Sequence, residues 1–153
     1  MNNKKIEIIK TTSENPDFGT LITALDASLW ERYPELKTNY WGNNVIELNS
    51  NVIVIYLDNK AVACGCFKKY DKNTIELKRM FVSPEARGMG LAQKILRELE
   101  LWAHEVGFSF SILETLYKQK EAIGLYQKVG YTIVDNYEPY VGLENSICMK
   151  KQI

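Results

Sequence analysis

The stretch Val82-Ser83-Pro84-Glu85-Ala86-Arg87-Gly88-Met89-Gly90-Leu91-Ala92 decides the fold of this chain. A strand-like segment, Thr74–Val82, precedes it, and a helix-like segment follows it. The apolar residues of the second segment recur at helical spacing: Leu91, Ile95, Leu96, Leu99, Trp102, Ala103 and Val106. A glycine-rich turn between a strand and a helix exposes backbone N–H groups at the positive end of the helix dipole. The stretch therefore predicts an anion site suited to a phosphate or pyrophosphate.

The spacing within this turn narrows the choice of family. Gly88 and Gly90 have no Cβ, so a ligand can approach the main chain closely. The turn lacks the Gly-Lys-Ser/Thr ending of a Walker A loop and the third glycine or alanine of a Rossmann fingerprint. The Arg-x-x-Gly-x-Ala pattern of Arg87, Gly90 and Ala92 resembles the pyrophosphate-binding motif of the GNAT superfamily, the CoA-dependent N-acetyltransferases.

A second motif points to the same family. Periodicity alone predicts a short helix after Gln119 whose Tyr126 could simply pack in a core. The pattern Ala-x-x-Leu-Tyr-x-Lys-x-Gly-Tyr, which runs from Ala122 to Tyr131, resembles the GNAT helix that follows the fifth strand. The resemblance implies that Tyr126 is the general acid that protonates the departing thiolate, a role that suits a phenol because it is neutral at physiological pH. Gln119 departs from the asparagine that the family often carries there.

The resemblance also implies which residues bind acetyl-CoA. The backbone of Met80, Phe81 and Val82 is expected to bind the acetyl carbonyl and the pantetheine arm. The other expected contacts to the cofactor are Arg87, Gly88, Met89, Gly90, Leu91, Ala92, Gln119 and Tyr126. No metal is expected, because the single histidine, His104, has no second ligand at metal-binding spacing.

Two glutamates are candidates for the base that takes the proton of the amine. Glu76 lies on the strand of Met80 and Val82 and, by side-chain alternation, on the same face. The alternative is a half-exposed strand carboxylate that pairs with Lys78 or another cation. Glu114, near the end of the next strand, is the second candidate for the base, and its alternative is an ordinary surface residue.

The acceptor pocket of the family lies between the first helical region and the loop between the last two strands. Both regions are aromatic here, with Trp30, Tyr33, Tyr40, Trp41, Tyr137 and Tyr140. Aromatic faces hold apolar side chains or attract an ammonium group. We expect Tyr33, Glu114 and Tyr137 to bind the acceptor, a small-molecule amine or an amino-acid-like compound, while a protein amine remains an alternative.

Composition limits which other classes of protein this chain could belong to. The 153 residues carry 19 basic and 19 acidic side chains, so no strong field attracts nucleic acid or an acidic membrane. Three cysteines argue against a disulfide framework, and Cys64 and Cys66 are expected to pack inside. The N-terminus has no apolar targeting segment. We expect one cytoplasmic domain over residues 1–153, with no nucleic-acid or membrane partner, and the sequence leaves a homodimer open.

The order of predicted elements indicates an α/β fold. Turn signals, including Asp58-Asn59, separate the strands, and Asn15 before Pro16 predicts a helix start. The predicted strands are Lys4–Lys10, Asn51–Leu57, Lys60–Lys69, Thr74–Val82, Ser109–Leu116, Gly130–Asn136 and Glu144–Lys150, and the predicted helices are Pro16–Tyr33, Gly88–Gly107 and Gln119–Val129. This order predicts a mixed, mostly antiparallel sheet of about seven strands, with one parallel crossover and helices on both faces.

The functional hypothesis is therefore an N-acetyltransferase that transfers the acetyl group directly. No cysteine, serine or histidine stands in a nucleophile-and-base arrangement that would favour an acyl-enzyme. A non-catalytic acyl-CoA sensor on the same fold is the alternative, and the presence of Tyr126 favours the enzyme.

Overall fold

The structure, a computed structural model, describes residues 4–34 and 51–153. Within these two ranges the strands are β1 (Ile6–Thr11), β2 (Asn51–Leu57), β3 (Lys60–Lys69), β4 (Thr74–Val82), β5 (Phe110–Leu116), β6 (Thr132–Val134) and β7 (Ser146–Gln152). The helices are α1 (Pro16–Arg32), α2 (Leu91–Glu105) and α3 (Lys120–Lys128), with a 3₁₀ turn at Pro84–Ala86.

The described strands form one sheet in the order β1-β2-β3-β4-β5-β7-β6. The pairs β1–β2, β2–β3, β5–β7 and β6–β7 are antiparallel, whereas β4 and β5 are parallel. Helix α2 connects β4 to β5, as a parallel pair requires a crossover rather than a hairpin. The predicted fold class, a mostly antiparallel α/β sheet with one parallel crossover, is confirmed.

Local sequence signals account for most element ends. The side chain of Asn15 accepts hydrogen bonds from the backbone N–H groups of Asp17 at 2.8 Å and Phe18 at 3.3 Å, which caps α1 as predicted. Asp58 and Asn59 take left-handed φ angles of 49° and 68°, which closes the β2–β3 hairpin.

Several predicted bounds were wrong. Strands β1 and β7 each begin two residues later than predicted, at Ile6 and Ser146. Helix α2 starts at Leu91 rather than at Gly88, because Gly88 and Gly90 have φ angles of 82° and 74° that an α-helix does not permit. Strand β6 covers only Thr132–Val134 of the predicted Gly130–Asn136, because Gly130 at φ 108° lies where the helix α3 ends.

The chain comprises two compact units. The first contains the described residues of Met1–Lys68 and Lys78–Leu99, and the second contains Lys69–Leu77 and Glu100–Ile153. The sequence-based expectation of one domain stays a prediction.

The first unit buries side chains on both faces of its strands. On one face, Phe18 of α1 packs in a cluster whose other members are Leu21, Ile22, Val52, Val54, Cys64, Cys66 and Phe81. On the other face, a Cβ at Gly65 would lie 2.8 Å from Ile95 and 3.2 Å from Leu99, so α2 covers that side. The expected packing role of Cys64 and Cys66 is confirmed.

The second unit is organised by β5 and β7, which pair from Phe110↔Gln152 to Leu116↔Ser146. Its buried side chains include Tyr131, whose hydroxyl lies 2.8 Å from both Glu100 and Ser111. Lys151 forms an ion pair with Glu100 at 2.7 Å. The half-buried carboxylate of Glu100 is thereby matched by a cation and a hydroxyl donor, which offsets its partial loss of hydration.

Gly65 gives a direct test of how tightly the first unit is packed. The Gly65→Ala substitution should lower the free energy of unfolding by about 1–3 kcal/mol, because the new methyl would meet Met80 at 2.5 Å and Ile95 at 2.8 Å. Chemical denaturation is the measurement. Gly19→Ala is the control: this helical position is open, so alanine should raise stability by about 0.5–1 kcal/mol. Equal effects of the two substitutions would contradict the described packing.

Candidate active site

The glycine turn of the first unit, residues 87–90, has open space beside its main chain. Gly88 and Gly90 are left-handed, and a Cβ built on either would meet nothing within 4 Å. The backbone N–H of Ser83 donates to the carbonyl of Val62 at 2.7 Å, which ties the start of the turn to β3. The space beside the two glycines is therefore available to a ligand while the turn itself is anchored.

Helix α2 begins directly at this turn. Its first helical bond runs from the N–H of Lys94 to the carbonyl of Gly90 at 3.2 Å. The N–H groups of the preceding residues have no partner within the helix, and no acidic residue stands in the first turn. These N–H groups and the positive end of the helix dipole favour an anion.

Four other residues that the sequence predicts at the cofactor differ from one another in exposure. Arg87 is exposed, and its Nε donates to the carbonyl of Val82 at 3.0 Å, so this side chain also holds the end of β4. The side chain of Leu91 is buried, which leaves only its main chain for ligand contact. Met89 is exposed and Ala92 is half-buried.

Strand β4 is interrupted before the residues expected to bind the acetyl group. Arg79 has a φ of 59°, which costs a residue other than glycine about 1–2 kcal/mol. A left-handed residue inside a strand is the geometry of a β-bulge. Side-chain alternation is interrupted at Arg79, so the expectation that Glu76 lies on the face of Met80 and Val82 stays a prediction.

In the second unit, Glu76 lies at the centre of a group of tyrosines. The carboxylate is only 2% exposed, so the alternative of a half-exposed strand residue was wrong. The hydroxyl of Tyr137 donates to its Oε2 at 2.8 Å. Burial, followed by the charges of Glu76 and Glu114, raises the pKa of Tyr140 well above its usual range. The loop before β7 therefore supplies tyrosine hydroxyls to a buried carboxylate.

The same tyrosines form the aromatic wall that the sequence predicts for this loop. The rings of Tyr70 and Tyr140 each meet Tyr137 edge-on, at centroid distances of 5.2 and 5.4 Å. Burial and then the charge of Glu76 raise the pKa of Tyr137 far above its usual range. Tyr137 is consequently a hydrogen-bond donor at any physiological pH.

Glu114 and Tyr126 form a second polar group of this unit. Glu114 is half-buried, and its Oε2 accepts a hydrogen bond from the hydroxyl of Ser146 at 2.7 Å. Tyr126 is 8% exposed; burial, with a smaller contribution from the charge of Glu114, raises its pKa to about 12. Its ring meets Tyr131 edge-on at 5.9 Å. Tyr126 is thus a buried phenol that stays neutral at physiological pH.

Two further predicted residues are described. Gln119 is half-buried at the N-terminus of α3, and its backbone N–H donates to the carbonyl of Leu116 at 2.9 Å. Tyr33 is buried at the end of α1, where its hydroxyl accepts a hydrogen bond from Arg32 at 3.2 Å. Tyr40 and Trp41 lie outside the described residues.

In the described ranges, the His, Cys, Asp and Glu side chains form no group of three or more that could hold a metal ion. No helix in residues 4–34 or 51–153 is long and apolar enough to cross a lipid bilayer.

Comparison with known proteins identifies the family. The sequence profile of the Acetyltransferase (GNAT) family matches residues 15–131. The chain belongs to the GNAT acetyltransferase family. The IAA acetyltransferase of Azospirillum brasilense is 30% identical over 140 residues, which cover 87% of this chain and 88% of that protein.

Solved structures agree with this GNAT assignment. A predicted acyl-CoA N-acyltransferase of Klebsiella pneumoniae superposes with a TM-score of 0.76 at 29% identity, over 96% of this chain and 97% of that one. A GNAT acetyltransferase of Elizabethkingia anophelis, solved with acetyl-CoA bound, shares the fold with a TM-score of 0.69 at 18% identity, over 97% and 98% of the two chains. This GNAT protein is an acyltransferase.

The sequence did not predict two of the side-chain contacts in this GNAT acyltransferase. It did not foresee that Arg79 would pair with Asp26, nor that Ser146 would bind Glu114, because both contacts join residues far apart in the chain. The position of Arg79 directly before the apolar residues Met80, Phe81 and Val82 is the sequence feature that could have indicated the first contact.

Proposed function

We propose that this GNAT enzyme transfers the acetyl group of acetyl-CoA to a primary amine of a small-molecule or amino-acid-like acceptor. The observation that carries the proposal is the buried carboxylate of Glu76, which has a tyrosine hydroxyl 2.8 Å away. An amine must lose a proton as it is acylated, and a carboxylate held in a largely dry site can accept it. Burial of a carboxylate for structural reasons alone is costly, which favours a chemical role.

The glycine turn supports acetyl-CoA as the donor. The open space at Gly88 and Gly90 and the first turn of α2 fit the pyrophosphate of CoA. The family resemblance assigns the thioester carbonyl and the pantetheine to the main chain of Met80–Val82. Neighbours in fold that were solved with CoA or acetyl-CoA bound support CoA binding in general.

The proposed reaction is a direct transfer. A bound ammonium first gives one proton to water. The neutral amine nitrogen then attacks the thioester carbonyl carbon, so that a C–N bond forms and the C–S bond breaks. The proton of the amine passes to Glu76, directly or through a water molecule, and Tyr126 gives its phenolic proton to the departing thiolate. Exchange with solvent then returns a proton from Glu76 to Tyr126, which leaves an amide and free CoA.

The buried tyrosines and carboxylates favour a compact cationic acceptor. The half-buried Tyr137 offers a ring face, and Glu76 and Glu114 supply negative charge that attracts an ammonium before it is deprotonated. The proposal further places the enzyme in the cytoplasm as a single domain without nucleic-acid or membrane partners. A protein N-terminus or lysine is the alternative acceptor, and a screen of free amines against peptides, followed by thiol release, distinguishes the two.

Gly90 tests the donor site. Gly90→Ala should weaken CoA binding by roughly tenfold or more, because the methyl group enters the proposed pyrophosphate space and strains a φ of 74°. Isothermal titration with CoA measures this loss. The control is Gly107→Ala, which also places a methyl in open space at a positive φ, of 105°, but at the far end of α2. Equal CoA affinity of both variants would contradict the proposed pyrophosphate site at the glycine turn.

Tyr126 tests the general acid. Tyr126→Phe should lower turnover by roughly 10²–10⁴-fold while CoA affinity hardly changes, because only the proton donor is lost. Steady-state kinetics with the best amine of the screen measures the effect. Tyr117→Phe, which removes the hydroxyl of a 43% exposed tyrosine, should keep full turnover. Full turnover of Tyr126→Phe would show that water protonates the thiolate.

Glu76 tests the base. Glu76→Gln should lower kcat/KM at neutral pH and remove the acidic limb of the pH–rate profile, because that limb reports protonation of the base. Glutamine can still accept the hydrogen bond of Tyr137, so the local structure should survive.

Glu114→Gln is the matched variant for this test. If it removes the acidic limb instead, Glu114 is the base and Glu76 only positions the acceptor. An acidic limb that is unaltered in both variants belongs to the amine substrate.

A further inference from the structure

Arg79 occupies an unusual backbone position in the first unit. The left-handed residues other than glycine in the described chain are Asp58, Asn59 and Arg79. The first two close a hairpin, where short polar side chains favour such angles. Arg79 instead lies inside β4, directly before Met80, where nothing in its own side-chain chemistry favours a positive φ. Other contacts must therefore hold it there.

The side chain of Arg79 is anchored to α1. Its guanidinium is 8% exposed and forms an ion pair with Asp26 at 2.6 Å. The Nε of the same guanidinium is buried and has no hydrogen-bond partner in the described structure. A buried donor without a partner lowers stability. The position is thus poorly optimised for stability, which is typical of residues that serve a functional site.

The carbonyl groups around Arg79 are anchored to β3. The thiol of Cys64 donates to the carbonyl of Arg79 at 3.4 Å, and the thiol of Cys66 donates to the carbonyl of Lys78 at 3.3 Å. Burial raises the pKa of the Cys64 thiol far above its usual range, so the thiol keeps the proton that it donates. The two cysteines that seemed to serve packing alone also hold the two peptide groups that flank Arg79.

These anchors determine the direction of the next amide. A trans peptide is planar, and its C=O and N–H point in opposite directions. The carbonyl of Arg79 and the N–H of Met80 belong to the same peptide group. When Cys64 fixes the carbonyl, it also fixes the N–H of Met80 so that it points away from the thiol.

We propose that Arg79 is a positioning residue, whose pairing with Asp26 and with Cys64 holds a left-handed backbone that directs the N–H of Met80 toward the thioester carbonyl. This inference rests on the proposed function, which assigns that carbonyl to Met80–Val82. An amide that points to the oxygen where charge develops stabilises the transition state more than the bound substrate.

Comparison of Arg79→Ala with Arg79→Gly tests the proposal. Alanine removes the ion pair but keeps the cost of a positive φ, so the backbone should relax and kcat should fall by roughly 10–100-fold, with a smaller change in KM for acetyl-CoA. Glycine removes the ion pair and also the cost of the φ angle, so it should recover most of that loss. The proposal is overturned if Arg79→Gly is as slow as Arg79→Ala.

A second measurement does not depend on catalysis. The ¹H–¹⁵N amide resonances of Met80 and Phe81 in the unliganded protein should shift in Arg79→Ala and in Asp26→Asn, and they should stay near their wild-type positions in Arg79→Gly. Asp17→Asn is the matched control: it removes the same charge from α1, where Asp17 accepts a hydrogen bond from Tyr56, and should leave both resonances in place. Unmoved resonances in folded Arg79→Ala overturn the inference.

The two proposals can fail separately. If the wild-type enzyme acetylates no amine but the amide resonances respond as expected, the proposed function fails and Arg79 still sets the backbone. If the wild-type enzyme is active and glycine gives no recovery, only the positioning role fails.

Discussion

The need of a buried carboxylate for hydrogen-bond donors governs the second unit. Glu76 is 2% exposed, and without donors its charge would be strongly disfavoured. Tyr137 provides such a donor, and the rings of Tyr70 and Tyr140 each meet the ring of Tyr137 edge-on. Asn136 holds the same loop, because its side-chain amide donates to the carbonyls of Tyr140 at 3.1 Å and Leu143 at 3.2 Å. The loop conformation and the carboxylate depend on each other.

Left-handed backbone is used in two different ways in the first unit. Gly88 and Gly90 adopt it without a steric penalty, and the absence of their side chains leaves space for an anion. At Arg79 the left-handed backbone costs conformational energy, which the contacts of this residue must offset. The arginine side chain at this position forms the ion pair with Asp26. A glycine at 79 would permit the angle but could not attach β4 to α1. The difference lies in whether a side chain is needed as an anchor.

Several polar networks consist of partners that are distant in the chain. Tyr131, next to Tyr126, is held by Glu100 and Ser111, and Glu100 is held in turn by Lys151. The same logic applies to Glu114 and Ser146, which lie on neighbouring strands β5 and β7. The β5–β7 pairing sets Ser111 opposite Lys151 and brings Glu114 near Ser146, whereas Glu100 comes from helix α2. The surroundings of Tyr126 therefore depend on several elements of the second unit.

Local sequence determined the elements and the two motifs of this protein. Strands such as Asn51–Leu57 and Lys60–Lys69, the Asn15 cap and the glycine turn follow from periodicity, φ preferences and capping, which act over a few residues. Tertiary structure alone decided that Glu76 is buried, that Arg79 is left-handed and that Cys64 donates to its carbonyl. These features depend on which strands and helices meet, and contacts between residues such as Asp26 and Arg79, 53 positions apart, leave no periodic signal in the chain.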